Sequence, residues 1–127
     1  MFSARFALAA AAIVIAAPAL AFDAKPFDQK SFEAAQAAGK SILVEVHADW
    51  CPTCKAQKPI LGSLAGKPAF KNVAAFRVDF DGQKDALKGF GAQRQSTLIM
   101  FKGKTETARS VGSTDAAAIE KLVASGV

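Results

Sequence analysis

The 127-residue chain carries 16 lysine and arginine residues against 11 aspartate and glutamate residues, a formal net charge of +5. Its basic residues are scattered, with no block of like charges and no stripe alternating with aromatic residues, so the sequence does not indicate nucleic-acid binding. There is no internal repeat or low-complexity linker, and the length suits a single domain with one modest core.

The first 21 residues have the pattern of a secretory signal peptide. Arg5 and the terminal amine give a positive start, residues 6–17 form an apolar run, and small residues provide a cleavage pattern that ends at Ala21. An uncleaved membrane anchor is the alternative, but the run is shorter than the ~20 residues of a spanning helix and Pro18 interrupts it. We therefore expect a mature domain of residues 22–127, 106 residues with 15 basic and 11 acidic side chains and a net charge of +4.

A helix and a buried strand begin the mature domain. Asp28 is a suitable N-cap for a helix over 29–38. Residues 41–48 are rich in β-branched residues and almost continuously apolar, which predicts a strand buried on both faces of a sheet. One carboxylate, Glu45, interrupts that run, and His47 lies two residues further on, on the same face of the strand.

The chain's two cysteines follow this strand, in Trp50-Cys51-Pro52-Thr53-Cys54-Lys55. Residues three apart on a first helical turn face the same way, so the two sulfurs can meet. A bridge across so small a ring adds little chain-entropy stabilisation and cannot tie distant segments together, so a redox role is favoured over a structural one. The N-terminus of a helix stabilises an anion, which favours a thiolate at Cys51 and makes Cys54, one turn deeper, the resolving thiol.

The rest of the chain completes an α/β pattern. The remaining predicted elements are, in chain order, helix 52–65, strand 73–80, helix 83–89, strand 97–101, strand 105–111 and a last helix ending at 124. Pro52 suits the first turn of its helix, and Ser113 or Thr114 is expected to cap the last one. This order predicts one α/β domain with a mixed central sheet flanked by helices.

With these elements in place, the sequence resembles the thioredoxin family. The resemblance is carried by Leu43–Lys55 with its Cys-Pro-Thr-Cys centre, by Pro59, by Val78–Asp81 and by Thr97–Gly103. It covers nearly the whole mature domain, although the family's first strand is short or missing near Phe27. It implies a thioredoxin-like fold and thiol–disulfide exchange, in which one cysteine attacks a substrate disulfide and the other resolves the mixed disulfide.

The resemblance gives Glu45 a catalytic role. Thioredoxins place a buried aspartate at the matching position, and it assists proton transfer to or from the second cysteine, here Cys54. Burial should raise the pKa of Glu45, which suits an acid or base working near neutrality. The alternative is a glutamate at a wet strand edge with no role. The attacking thiolate, Cys51, is expected to be exposed.

Three neighbours of the dithiol are expected to modulate or shield it. His47 stands where the family often has an aromatic residue, and it can tune the Cys51 thiolate, contribute a metal ligand or only pack its ring. Lys55 is expected to be a solvated charge with a weak influence. Trp50 is expected to shield one side of the dithiol.

Ser96 is the main departure from the family pattern. Thioredoxins have a cis-proline at this position, and a cis bond before a non-proline residue costs ~2.5–4 kcal/mol, so we expect either a trans peptide or a strained cis one. A serine here can also donate a hydrogen bond to a sulfur. In the family this loop pairs with the substrate backbone. The resemblance therefore implies a substrate groove bordered by Trp50, Pro52, Thr53, Gln95, Ser96 and Thr97.

The expected function is a periplasmic thiol–disulfide oxidoreductase with no cofactor beyond its own Cys51–Cys54 disulfide. Glu45 favours a protein-disulfide reductase over an oxidase, and a reductase would draw electrons from a membrane thiol transporter. We expect a monomer that acts on protein thiols and disulfides. The alternative is a periplasmic copper or zinc module using Cys51, Cys54 and His47, because two thiolates and an imidazole suit these metals. The third hypothesis is a protein-binding domain whose dithiol regulates the interaction with its partner.

Overall fold

The computed structural model describes residues 11–13 and 21–127. The predicted signal peptide, residues 1–21, therefore lies outside the described residues except for 11–13 and Ala21. Within the described ranges, no helix has both the length and the apolarity needed to cross a membrane.

Among the described residues, five strands form one mixed sheet in the order β1-β3-β2-β4-β5. They are β1 (Lys25–Pro26), β2 (Ser41–His47), β3 (Ala74–Asp79), β4 (Thr97–Lys102) and β5 (Thr105–Val111). β3 runs parallel to both β1 and β2, whereas β4 runs antiparallel to both β2 and β5. β2 is therefore the central strand, in agreement with its almost continuously apolar sequence.

Within the described part of the chain, four α-helices flank the sheet: α1 (Gln29–Ala37), α2 (Pro52–Ala65), α3 (Lys84–Phe90) and α4 (Ala116–Ala124). The predicted single α/β domain is confirmed, and α2 and β5 have their predicted bounds. The helices α1 and α3 and the strands β2, β3 and β4 differ from the prediction by one residue at one or both ends. The expected cap of α4 is wrong: Asp115, rather than Ser113 or Thr114, accepts a hydrogen bond from the backbone N–H of Ala118 at 3.0 Å. An aspartate one residue before a helix reaches that N–H directly.

One face of the sheet, which we call the aromatic face, packs against α1 and α3. Ile42, Val44 and Val46 of β2 point to this side because strand side chains alternate. Five phenylalanine rings fill it with centroids 5.2–6.4 Å apart, mostly in tilted or edge-on contact: Phe27, Phe32, Phe76, Phe90 and Phe101. This face is an apolar core of the domain.

The opposite face, which we call the dithiol face, packs against α2 and α4. Leu43 of β2 joins a second apolar cluster here, together with Leu61 of α2 and Ile119 of α4. The same alternation that points Leu43 toward α2 also points Glu45 and His47 to this side. β2 thus places the Glu45 carboxyl and the His47 imidazole on the face of the sheet that is covered by the helix of the two cysteines.

Candidate active site

Cys51 is the N-cap of α2. Its sulfur accepts a hydrogen bond from the backbone N–H of Cys54 at 3.0 Å, and Pro52 occupies the first helical turn, where no N–H is needed. Both cysteines are free thiols. The predicted placement of the Cys51 sulfur at a helix N-terminus is thus observed, and that position favours negative charge on the sulfur.

The expectation that Cys51 is exposed is wrong. Its exposed fraction is 0%, and it packs in a small cluster with Ala48 and Cys54, against which Phe80 lies. The Trp50 ring meets Phe80 edge-on at 6.2 Å and donates its indole N–H to Asp81 at 2.7 Å. Trp50 is itself 55% exposed, so it stands at the outer edge of this packing. Because Cys51 has no exposed surface, a substrate reaches its sulfur only after a local movement of the surrounding residues.

Cys54 is held as a thiol. Burial raises the pKa of Cys54, and its contact with Cys51 raises it further, whereas backbone contacts from Ala48 and Ser96 lower it by less. Its sulfur lies 3.9 Å from the carbonyl oxygen of Val46. Because the thiolate is the form that attacks a disulfide, this thiol needs a proton acceptor before it can react.

Glu45 brings a carboxyl group to the cavity that Cys54 also lines. It is 8% exposed, and its Oε2 atom has no hydrogen-bond partner. Burial raises the pKa of Glu45, and the charge of Arg77, its cross-strand neighbour on β3, opposes the shift. Glu45, Arg77 and Cys54 all line one cavity of about 190 Å³ between β2 and α2. The buried carboxyl and the Cys54 thiol therefore line the same cavity.

His47 is partly exposed at the mouth of the same cavity, with Nε2 3.1 Å from Asp49 Oδ1. The polar partner of His47 is therefore Asp49. Lys55 is exposed and also borders the cavity. Within residues 11–13 and 21–127, no three His, Cys, Asp or Glu side chains come close enough together to hold a metal ion. The alternative based on Cys51, Cys54 and His47 thus lacks an assembled ligand set.

Ser96 follows a trans peptide and has a left-handed backbone, with φ of +58°. Of the two predicted conformations of this peptide bond, the trans one is present. The backbone strain at Ser96 comes from its positive φ angle, which a residue with a side chain rarely adopts. The Ser96 hydroxyl donates to the carbonyl of Gln95 at 2.6 Å, so the possible hydrogen bond to a sulfur is replaced by a local one. The Thr97 side chain is also buried, and its hydroxyl donates to the backbone carbonyl of Arg94 at 2.7 Å.

The six predicted groove residues differ in their accessibility. Trp50 and Pro52 are exposed, Thr53 and Gln95 are half-buried, and the side chains of Ser96 and Thr97 are buried. A substrate would therefore meet the first four through side chains.

A protein-family model described as Thioredoxin matches residues 23–125. The chain belongs to the thioredoxin family. It is 34% identical over 90 residues to a thioredoxin of Chlamydia muridarum, covering 71% of this chain and 86% of that protein. It is 32% identical over 97 residues to thioredoxin-2 of Saccharomyces cerevisiae, covering 76% and 90%. Among solved structures, Trxlp from Edwardsiella tarda matches with a TM-score of 0.77 and 40% identity, over 80% of this chain and 98% of that one.

These relatives match over most of their own length, so the similarity extends to whole thioredoxins. The chain is accordingly a thiol–disulfide oxidoreductase of the thioredoxin family with a cysteine pair at its active site. The predicted family, fold and enzyme class are confirmed.

Two residues at this thioredoxin-family site are absent from the sequence-based prediction. Arg77 lines the Glu45 cavity from β3. Its position as the one charged residue in the apolar stretch Ala74–Val78 is the sequence feature that could have indicated this role. Gln57 of α2 is buried and donates to two backbone carbonyls, of Ser96 and Ser113. In the sequence it stands between alanine and lysine and is typical of a helix surface, so the sequence carried no signal for its burial.

Proposed function

We propose that this thioredoxin-family protein is a periplasmic protein-disulfide reductase. Cys51 is the nucleophile, Cys54 the resolving thiol and Glu45 the proton acceptor for Cys54. The observation that supports this assignment most directly is the buried, unpaired Glu45 carboxyl in one cavity with the Cys54 thiol. The expected groove residues Trp50 and Gln95 flank the route to the sulfurs.

The reaction transfers two electrons from the dithiol to the substrate. The Cys51 thiolate attacks one sulfur of a protein disulfide, which forms a mixed disulfide and releases the first substrate thiolate. Glu45 then takes the Cys54 proton, and the Cys54 thiolate attacks the Cys51 sulfur. The Cys51–Cys54 disulfide forms and the second substrate thiolate leaves. The released thiolates take up protons, one of which is returned by Glu45.

Glu45 also supports the reducing direction. An oxidase of this fold needs a stabilised thiolate rather than a nearby acid, whereas here a buried carboxyl lines the same cavity as Cys54. A dithiol that must lose a proton to a neighbouring base before it closes suits electron donation coupled to proton transfer. Such a reductase needs a continuing electron supply, for which we propose a membrane thiol transporter.

Two measurements test the activity. The first is the reduction potential of the pair, by equilibration of the mature protein with glutathione or dithiothreitol. A value well below the ~−180 mV of protein disulfide isomerase supports the reductase, and one near ~−120 mV reverses the direction. The second is insulin reduction with dithiothreitol. We expect Cys51→Ser to abolish turnover and Cys54→Ser to accumulate the mixed disulfide. A pair that never closes would overturn the redox function.

The proposal also includes export, with cleavage after Ala21. In its support, the Phe22 side chain packs beside the apolar cluster of the dithiol face, so cleavage at this point would keep Phe22 in the mature domain. We expect the protein expressed in a Gram-negative host to appear in the periplasmic fraction with Phe22 as its first residue, as read by N-terminal sequencing. Retention in the cytoplasm with an intact N-terminus would contradict this part of the proposal.

A further inference from the structure

Gln57 is a buried polar residue that exchanges no proton or electron in the reaction described above. It lies on α2 one turn after Cys54 and is 3% exposed. Its side-chain amide donates to the carbonyl of Ser96 at 3.2 Å and to the carbonyl of Ser113 at 2.9 Å. Because an amide NH₂ has two hydrogens, both are used. Gln57 thus ties α2 to the loop before β4 and to the loop after β5.

The first of these loops contains the strained residue Ser96. A non-glycine residue with φ of +58° needs surroundings that hold it there. The Ser96 N–H donates to the carbonyl of Val46 at 2.8 Å, and its carbonyl accepts from the N–H of Gly112 at 3.0 Å as well as from Gln57. Val46 and Gly112 contribute backbone groups only. Gln57 is therefore the side chain that fixes the Ser96 peptide.

Ser96 in turn connects to the dithiol and to the expected groove. The Ser96 N–H and the Cys54 sulfur lie against the same carbonyl oxygen, that of Val46, at 2.8 Å and 3.9 Å, and the Ser96 backbone lowers the pKa of the Cys54 thiol. Its hydroxyl donates to the carbonyl of Gln95, a half-buried residue of the groove. A rotation of the Ser96 backbone would therefore move a contact of the resolving sulfur and a polar group of the groove together.

We propose that Gln57 is a positioning residue of the exchange reaction. Through the Ser96 carbonyl it holds residues 95–97 in the conformation that receives the backbone of a protein disulfide. This inference rests on the proposed function, because the groove is where that substrate would bind. Gln57 acts through Ser96 and takes no part in the chemical step.

The test compares Gln57→Met in three backgrounds. Methionine keeps the approximate length of the side chain and removes both donors. With insulin as substrate, we expect Gln57→Met to raise KM roughly three- to tenfold, which is the effect of losing the one hydrogen bond to the Ser96 carbonyl. We expect kcat to change less. We also expect the pKa of Cys54, measured by thiol titration, to rise. In the Ser96→Gly background both effects should shrink, because glycine adopts the left-handed conformation without strain.

Ser96→Ala is the matched control, since it removes the same hydroxyl as Ser96→Gly but keeps the strain. In that background the Gln57→Met effects should persist. If Gln57→Met changes only the melting temperature, or if its effects are the same in the glycine and alanine backgrounds, the inference is wrong. Should Gln57→Met not fold, Gln57→Glu at pH 5 replaces it, because a neutral carboxyl still donates one hydrogen bond and the defect should grow as the pH rises.

The Cys54 titration also separates this inference from the proposed function. A wild-type protein without insulin reduction overturns the function. The background-dependent shift in the Cys54 pKa still shows whether Gln57 positions Ser96, and its absence would overturn that role even in an active reductase.

Discussion

The two faces of the sheet are built on the same central strand but differ in how they treat polar groups. Ile42, Val44 and Val46 enter the aromatic face, where phenylalanine rings surround them. Glu45 enters the dithiol face, where its Oε2 atom and the Nε atom of Arg77 are buried without hydrogen-bond partners. An unpaired buried polar atom costs stability. The fold therefore has apolar packing on both faces of the sheet but places these unsatisfied polar groups on the dithiol face alone.

This division has a physical use. No hydrogen bond to the Oε2 atom stabilises the charged carboxylate, and burial raises the pKa of Glu45, which suits the proposed uptake of a proton from Cys54. The apolar packing of both faces compensates for the instability that results. The comparison predicts that substitutions on the aromatic face change stability alone, and that substitutions on the dithiol face change catalysis as well.

The largest effect is expected at Phe32, the ring at the centre of the aromatic face, which lies 5.2–5.8 Å from four other phenylalanine rings. Phe32→Ala should lower the free energy of unfolding by about 3–5 kcal/mol. Denaturant titration measures this, and insulin turnover per folded molecule should stay at the wild-type value. Leu61→Ala is the counterpart on the dithiol face, where the side chain lines the Glu45 cavity. It should reduce both stability and turnover, and a purely structural effect of Leu61→Ala would weaken the comparison.

The second prediction concerns the proton transfer from Cys54. Glu45→Gln keeps the shape of the side chain and removes its basicity, so closure of the Cys51–Cys54 disulfide should slow by about 10²-fold near neutral pH. The chain has one tryptophan, Trp50, beside the dithiol, and its fluorescence in stopped flow can follow this step.

Asp49→Asn is the control for this substitution, because it removes an exposed carboxylate that borders the same cavity. We expect it to leave the closure rate close to that of the wild type. Equal slowing by both substitutions would indicate a general electrostatic effect and would contradict proton acceptance by Glu45.

The pattern of the sequence was sufficient to predict the fold and the cysteine pair of the active site. The bounds of α2 were predicted because Pro52 and Gly66 mark its ends in the local sequence. The burial of Cys51 was not predictable, since it depends on Phe80, distant in the chain, packing against the cluster of Ala48, Cys51 and Cys54. The same holds for Ser96, whose left-handed backbone is held by groups 16 to 50 positions away in the chain.

The third prediction is a pH dependence of stability that comes from Glu45. Burial raises the pKa of Glu45 above its ordinary value of 4.5, so the folded protein holds this proton more tightly than the unfolded chain does. The resulting stabilisation is fully present below that value and is lost as the pH rises through the higher pKa of the folded state. Glu45→Gln removes this dependence. The variant should therefore gain stability relative to the wild type between pH 5 and pH 8, as measured by urea unfolding. A constant difference across that range would show that burial does not perturb Glu45.

The smallest effect is expected at the outer edge of the dithiol face, where Trp50 donates to Asp81 at 2.7 Å and packs on Phe80. If this contact helps to cover the buried Cys51 sulfur, loss of one hydrogen bond should raise the opened fraction roughly fivefold. Alkylation of reduced protein by iodoacetamide, followed by mass spectrometry, measures that fraction.

Asp81→Ala and Asp81→Asn form the matched pair for this experiment. Alanine removes the acceptor and should accelerate alkylation of Cys51, whereas asparagine keeps a side-chain oxygen that accepts the indole N–H and should leave the rate near that of the wild type. Equal rates in all three proteins would show that the indole does not restrict access to the sulfur. In that case the cover of Cys51 lies in Phe80 and Ala48, which belong to the packed interior, and a substrate must displace part of that interior to react.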